Sequence, residues 1–157
     1  MTNFGYLVEA IAPNYGLPIN LIMAISKVES DWNPWSVRFE PEVYQNHKFA
    51  KIPVYGPVSI ETERAGLATS WGFMQIMGMT ARDRGFKGAF LSELCDPKTG
   101  IEYGCRQLQF LKDRYCADGN HWPDVIAAYN AGSPRKRQDG KFVNQVYVDR
   151  VMTLWRP

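Results

Sequence analysis

The chain has 157 residues, of which 45% are hydrophobic and 13% aromatic, and its formal net charge is +2. This length suits one domain that buries roughly 70% of the surface of its unfolded chain, and the composition excludes a disordered chain. The small charge does not indicate nucleic acid binding, and no apolar run approaches the ~20 residues of a membrane span, so we expect no stable membrane insertion.

The first third of the chain predicts two helices. One runs from Asn3 to about Ala12. The other begins near Leu17-Pro18, because proline in a first turn loses no hydrogen bond. Apolar residues recur there at helical spacing, at Leu21, Ile25, Val28 and Trp32. Glu29 lies beside this stripe, and Asn33-Pro34 ends the helix.

The region from 38 to 70 is the least regular part of the chain. A short helix is predicted from Glu42 to Ala50. The stretch that follows contains Pro53, Gly56, Pro57 and Gly66. We therefore predict a loop region with a small hairpin, built from the β-prone pieces 52–55 and 58–60.

The second half of the chain predicts four more helices. They run from Gln75 to Asp83, from Pro97 to Tyr115, from Pro123 to Asn130 and from Phe142 to Leu154. Asp96 is a suitable N-cap for the longest of them. Its buried face is predicted to contain Ile101, Cys105, Leu108, Leu111 and Tyr115, and the candidate core of the last helix is Val146, Val148, Val151 and Leu154. The fold class is mainly α, with a minor β element.

The three cysteines are predicted to be free and mostly buried. Cys105 and Cys116 lie on one predicted helix roughly 16 Å apart, which is beyond disulfide reach, and Cys95 is poorly placed for either. His47 and His121 form no zinc pattern with them. We therefore expect no metal and no cofactor.

Glu29 is the candidate for acid chemistry. Most helix glutamates are solvated, but the neighbours of this one along the helix face are apolar. A carboxyl group against such a surface is desolvated, so its pKa should rise into the range where it donates protons.

Two further segments offer neutral polar groups. In the segment 70–77, Gly72 permits a close backbone approach, and Gln75 matches an N-acetyl group or a hydroxyl. In the segment 128–132, Tyr129 has a hydroxyl that could reach a carboxylate, and Asn130 could pair with a sugar amide. Each segment alone also fits an ordinary helix boundary.

Together, these segments resemble the family of soluble lytic transglycosylases and goose-type lysozymes. Glu29-Ser30, followed by Trp32-Asn33-Pro34, is similar to the family's catalytic motif. The run 70–77 is similar to its S-x-G-L-M-Q-I-M motif, with Phe73 in place of leucine and with Thr80-Ala81 fitting the continuation. The run 128–132 is the AYNAG motif unaltered, and 147–151 resembles the closing Y-V-x-x-V helix. The resemblance covers roughly residues 17 to 154.

The resemblance implies a lysozyme-like single domain, spanning 1–157, with its cleft beside a small loop and hairpin region. It implies cleavage of the β-1,4 bond between N-acetylmuramic acid and N-acetylglucosamine in peptidoglycan, giving 1,6-anhydro products. Glu29 would be the catalytic acid, with Tyr129 close enough to orient it. The implied substrate-binding residues are Ser30, Ser70, Gly72, Met74, Gln75, Met77, Tyr129 and Asn130.

The chain departs from the family pattern between the first two segments. An insertion is predicted at about 38–69, and it supplies the new carboxylates Glu40, Glu42, Glu61 and Glu63. Glu40 is the best candidate for a second functional carboxylate, although it could pair with Arg38 instead. A second carboxylate would favour a hydrolytic muramidase of the same fold. A non-catalytic glycan-binding module is the third alternative.

The expected partner is the glycan strand of peptidoglycan, bound by a monomer that acts on the cell wall. The first residues lack the basic and apolar regions of a secretory signal peptide. This favours a phage lysin or virion-associated enzyme, with a trimmed periplasmic domain as the alternative.

Overall fold

The computed structural model describes residues 4–46 and 54–156, and this part of the chain contains eight α-helices and a small antiparallel sheet. The helices are α1 (Gly5–Ile11), α2 (Ile19–Ser30), α3 (Pro41–Asn46), α4 (Ile60–Leu67), α5 (Gly78–Asp83), α6 (Pro97–Tyr115), α7 (Trp122–Ala131) and α8 (Gln145–Trp155). The strands are β1 (Val37–Phe39), β2 (Thr69–Trp71) and β3 (Ile76–Met77). The predicted mainly α class is confirmed.

The main core lies between α1, α2, α6, α7 and α8. Helix α6 has the predicted bounds, because the Asp96 carboxylate accepts a hydrogen bond from the Thr99 N–H at 2.9 Å and caps the first turn. Of the predicted α6 face, Tyr115 is half-buried, and the other four positions are fully buried: Ile101, Cys105, Leu108 and Leu111. This helix forms the centre of the domain.

The three thiols are free and buried, as predicted. Burial raises the pKa of the Cys105 thiol to about 12, so that this group stays neutral inside the core.

The C-terminal end of α2 differs from its prediction. Helix α2 ends at Ser30, because Asp31 and Trp32 adopt left-handed backbone with φ of 54° and 64°. Trp32 still packs on the core, and its indole Nε1 donates a hydrogen bond to the Met23 carbonyl at 2.9 Å. The apolar spacing therefore predicted the contact of Trp32 with the core, but was wrong about its helical backbone.

The core face of α8 is also partly different. Val148 and Val151 are buried as predicted, but Val146 is 75% exposed and Leu154 is 50% exposed. Trp155 is buried instead. The positions 148, 151 and 155 follow one stripe of the helix, whereas 146 and 154 lie on a different stripe.

The sheet has the order β1-β2-β3, with Arg38 opposite Ser70 and Ser70 opposite Met77. The hairpin predicted at 52–60 is wrong for the described residues: 54–59 form no strand, and helix α4 begins at Ile60. The Ser59 hydroxyl accepts a hydrogen bond from the Thr62 N–H at 3.1 Å, which caps this helix. Residue 52, and the predicted continuation of α3 through 47–50, lie outside the described residues.

The helix predicted from Gln75 begins three residues later, at Gly78. Ile76 and Met77 pair with β2 instead, and Gln75 has a φ of 49° that no helix contains. This strand is short, and its apolar residues also fit a helical pattern. Pairing with β2 therefore determined that this segment forms a strand.

A buried ion pair connects α4 to α5. Arg82 Nη2 lies 2.7 Å from Glu63 Oε1, and their side chains are 5% and 2% exposed. Arg82 also donates to the carbonyl groups of Phe86 and Gly88. These bonds fix the sheet side of the domain against the loop that precedes α6.

Candidate active site

One cavity, with a volume of about 320 Å³, brings the three sequence segments together between the helical core and the sheet. Its lining includes six of the predicted site residues: Glu29, Ser70, Gln75, Met77, Tyr129 and Asn130. The other lining residues on this side are Val43, Ile76, Thr80, Gln107, Ala128 and Gly132. Arg38 and Glu40 complete it from the β1 side.

Glu29 enters this cavity from the last turn of α2, and its carboxyl group is half-buried. Its Oε1 accepts a short hydrogen bond, 2.6 Å, from the Tyr147 hydroxyl on α8. Burial raises the pKa of Glu29, while the Tyr147 hydrogen bond and the charges of Arg38 and Arg150 lower it by less. The net increase favours the protonated form that a general acid requires.

The loop from Gly72 to Gln75 is fixed by side chains bonded to three successive carbonyl oxygens. Gln75 Nε2 donates to the Gly72 oxygen at 3.0 Å. Ser30 Oγ donates to the Phe73 oxygen at 2.7 Å, and the Tyr129 hydroxyl donates to the Met74 oxygen at 2.8 Å. All three motif segments therefore meet at this loop, and their polar groups position the wall of the cavity.

The sheet supplies a row of side chains that faces the cavity. Arg38, Ser70 and Met77 are paired across the three strands, so the register places them side by side on one face. Arg38 Nε lies 2.6 Å from Glu40 Oε1, which gives the cavity one ion pair on the side opposite the helices.

Asn130 lines the cavity from α7, and Asn144 bonds to it from outside the lining. Asn144 Nδ2 donates to the Asn130 Oδ1 at 2.9 Å and to the Ala127 carbonyl at 3.0 Å. The Asn130 amide is thereby oriented with its Nδ2 donor still available, and its side chain is exposed at the cavity.

Comparison with known proteins identifies this arrangement. Residues 6–146 match the family model described as the transglycosylase SLT domain. The chain belongs to the SLT family. The crystal structure of the 70 kDa soluble lytic transglycosylase from Escherichia coli is similar to this SLT domain, with a TM-score of 0.55 and 24% identity. The match covers 98% of this chain and 19% of that one. A search of curated proteins found no match.

The structural match confirms the lysozyme-like fold class that was predicted from the motifs. The chain spans about a fifth of the length of that similar protein. The similarity is therefore to one part of a larger molecule.

Within the SLT domain, the hydroxyl that orients Glu29 belongs to a different tyrosine from the one expected. Tyr147 bonds Glu29, whereas Tyr129 bonds the Met74 carbonyl. Burial raises the pKa of both tyrosines well above the usual value, and the nearby Glu29 charge adds to this, so both remain hydroxyl donors. Tyr147 was visible in the sequence as the first residue of the closing Y-V-x-x-V helix.

Three residues predicted to bind substrate have other contacts in the structure. The Met74 side chain is fully buried and packs against Gly104 in the core, so it has no surface to offer a ligand. Gly72 is buried with a φ of 72°, and a Cβ there would lie 2.3 Å from the Leu94 carbonyl oxygen. This glycine is therefore required for packing against the protein itself. Ser30 donates its hydroxyl to the loop, as described above, and does not line this cavity.

Residues 4–46 and 54–156 contain no group of three or more His, Cys, Asp or Glu side chains that is suited to a metal ion. Over the same residues, no helix is long and apolar enough to cross a membrane.

Proposed function

We propose that this SLT domain is a lytic transglycosylase that cleaves the β-1,4 bond between N-acetylmuramic acid and N-acetylglucosamine in peptidoglycan strands. The observation that carries the proposal is the contrast between the two carboxyl groups of the cavity. Glu29 has a raised pKa and is held by a neutral hydroxyl, whereas Glu40 is paired with the Arg38 guanidinium. One group is prepared to donate a proton, and the other is neutralised.

In the first step, Glu29 acts as the general acid. Its Oε1 is occupied by the Tyr147 hydroxyl, which leaves Oε2 to carry the proton to the glycosidic oxygen. The bond between this oxygen and the anomeric carbon then breaks. The 2-acetamido group of the substrate stabilises the resulting positive charge, so no protein nucleophile is required.

In the second step, the Glu29 carboxylate acts as the base. It takes the proton of the sugar's 6-hydroxyl, and the 6-oxygen bonds to the anomeric carbon to form the 1,6-anhydro ring. No water is consumed, and Glu29 recovers its proton for the next cycle. One residue with a raised pKa suits both roles, because a pKa closer to neutral pH lets the same group donate a proton and then accept one.

The remaining polar groups of the cavity suit an acetamido sugar. Gln75 uses its Nε2 on the carbonyl groups of Ser36 and Gly72, so its Oε1 remains to accept a hydrogen bond. Asn130 uses its Oδ1 on Asn144, so its Nδ2 remains to donate one. An acceptor and a donor in one cavity match the N–H and C=O groups of an N-acetyl substituent.

The alternative is a hydrolytic muramidase, because Glu40 lines the same cavity as Glu29. If Glu40 left Arg38 and positioned a water molecule, the product would carry a reducing end. Mass spectrometry of digested sacculi distinguishes the two reactions. We expect anhydro-muramyl ends, and reducing ends alone, one water heavier, would contradict transglycosylation.

Glu40→Gln is the matched variant for this experiment. It preserves the side-chain shape but removes the charge that hydrolysis would require. We expect anhydro ends in both proteins. Loss of product formation in Glu40→Gln, together with reducing ends in the wild type, would identify the hydrolase instead. We also propose the cell wall as the site of action and a monomer as the active form.

A further inference from the structure

Glu29 lines a second cavity, with a volume of about 490 Å³, which shares no other residue with the first. Its walls come from the end of α2, from the segment between α2 and β1, and from α8: Lys27, Val28, Ser30, Asp31, Ser36, Arg150 and Leu154. A glycan strand that is cut at Glu29 must continue on both sides of the broken bond. The second cavity adjoins the first at Glu29, so it offers space for the substrate to extend beyond the site described above.

Arg150 is the cation of this cavity that forms no direct ion pair among the described residues, although its charge lowers the pKa of the neighbouring Glu29. Its spacing from Tyr147 places both on one face of α8, so the arginine lies beside the catalytic carboxyl group. The other cation, Lys27, is paired with Asp31. Arg150 is exposed and takes part in none of the ion pairs found over 4–46 and 54–156.

Two exposed apolar side chains lie beside this arginine on the outer side of α8. Val146 and Leu154 are 75% and 50% exposed, and they line a shallow hollow together with Asp149, Arg150 and Thr153. Leu154 also belongs to the wall of the second cavity, so the apolar surface continues from the cavity to the outside of the helix. A ligand that fits here combines a negative charge with small apolar groups.

We infer that Arg150 is a specificity-determining residue that binds a carboxylate of the peptide stem attached to the muramyl sugar, while Val146 and Leu154 contact the stem's apolar side chains. This inference rests on the proposed function. A stem peptide of peptidoglycan offers free carboxylates and small side chains. A guanidinium group binds a carboxylate through two parallel hydrogen bonds, which is why an arginine suits this role.

The test is a binding measurement that does not depend on cleavage. Isothermal titration would use Glu29→Gln protein with three ligands of equal sugar length: a muramyl tetrasaccharide with stems, the same sugar after amidase removal of the stems, and chitotetraose. The second ligand keeps a free lactyl carboxylate, and the third has none. We expect the stemmed ligand to bind most tightly. Adding Arg150→Ala should weaken its binding about fivefold, with less than a twofold effect on chitotetraose.

Arg114→Ala is the matched control, because it removes the same charge from α6 and lines neither cavity. It should leave the affinity ratio of stemmed ligand to chitotetraose unchanged, and Arg150→Lys should restore part of that ratio. The inference is overturned if Arg150→Ala weakens all three ligands equally, if it weakens only the stem-free muramyl sugar, or if the stemmed ligand shows no preference at all. Failure of the proposed function would be recognised separately, as intact sacculi or reducing ends with the wild type.

Discussion

Two glutamates, on opposite sides of the cleft, show two ways to bury a carboxyl group. On the sheet side, Glu63 is 2% exposed and bonds directly to Arg82, which is itself fixed by two carbonyl groups. On the helical side, Glu29 is half-buried, accepts a hydrogen bond from a tyrosine hydroxyl, and forms no ion pair within residues 4–46 and 54–156. The first arrangement connects two helices through an ion pair, and the second raises the pKa of Glu29 and so favours its protonated form.

This difference separates a carboxylate that stabilises the fold, Glu63, from a carboxyl group that is suited to chemistry, Glu29. A buried carboxylate with a direct guanidinium partner connects two elements, so it is suited to structure. A buried carboxyl group that lacks such a partner retains its proton and is suited to catalysis. Variants that remove one of these carboxyl groups, or the hydroxyl that bonds Glu29, therefore test the comparison directly.

The largest expected effect is the loss of catalysis in Glu29→Gln. The amide cannot donate the proton that the leaving oxygen requires, so clearing of a cell-wall suspension should slow by about 10²–10⁴-fold. Glu42→Gln, an exposed glutamate on α3, is the control and should clear normally. Equal clearing by Glu29→Gln and the wild type would show that Glu29 is not the acid.

The second effect is on stability. Glu63→Ala leaves the Arg82 guanidinium buried without its carboxylate, so the free energy of unfolding should fall by about 3–5 kcal/mol in urea denaturation. Glu61→Ala, on the exposed side of the same helix, should cost less than about 1 kcal/mol. Similar losses in the two variants would mean that the ion pair has no special role.

The third effect concerns the hydroxyl that Glu29 contacts. Tyr147→Phe should lower kcat by about tenfold, because the carboxyl group loses a bond that fixes its position. The hydrogen bond lowers the pKa of Glu29, so its removal should also shift the basic limb of the pH profile to higher pH. Tyr129→Phe serves as the comparison, since that hydroxyl bonds a backbone carbonyl. A limb that moves with Tyr129→Phe and not with Tyr147→Phe would reverse these roles.

The smallest effect is a pH-dependent difference in stability. The pKa of Glu29 is higher in the folded protein than in the unfolded chain, so the folded state loses stability as pH rises from the unfolded value through the folded one. Glu29→Gln lacks this loss. Its free energy of unfolding relative to the wild type should therefore increase across this window, measured by thermal unfolding at a series of pH values. A difference that is constant or decreases with pH would contradict the raised pKa.

Local patterns were sufficient for much of the helical half. Helix α6 has the bounds that its cap and its apolar spacing predicted, and the three motif segments meet in one cavity as their combination suggested. Patterns failed on the sheet side, where short segments such as Ile76-Met77 fit two structures equally well. There, pairing with β2 determined that Ile76 and Met77 form a strand and not the start of a helix.

The sequence by itself determined the family, the mainly α class and the candidate acid, because motifs and helical periodicity depend on residues close together in the chain. The tertiary structure alone decided which tyrosine bonds Glu29, since Tyr147 lies 118 positions away and the contact depends on how α8 packs against α2. It also decided that Met74 belongs to the core and that Arg38 neutralises Glu40. Long-range packing sets burial and charge pairing, and these two quantities distinguish Glu29, the proposed proton donor, from Glu40 and Glu63.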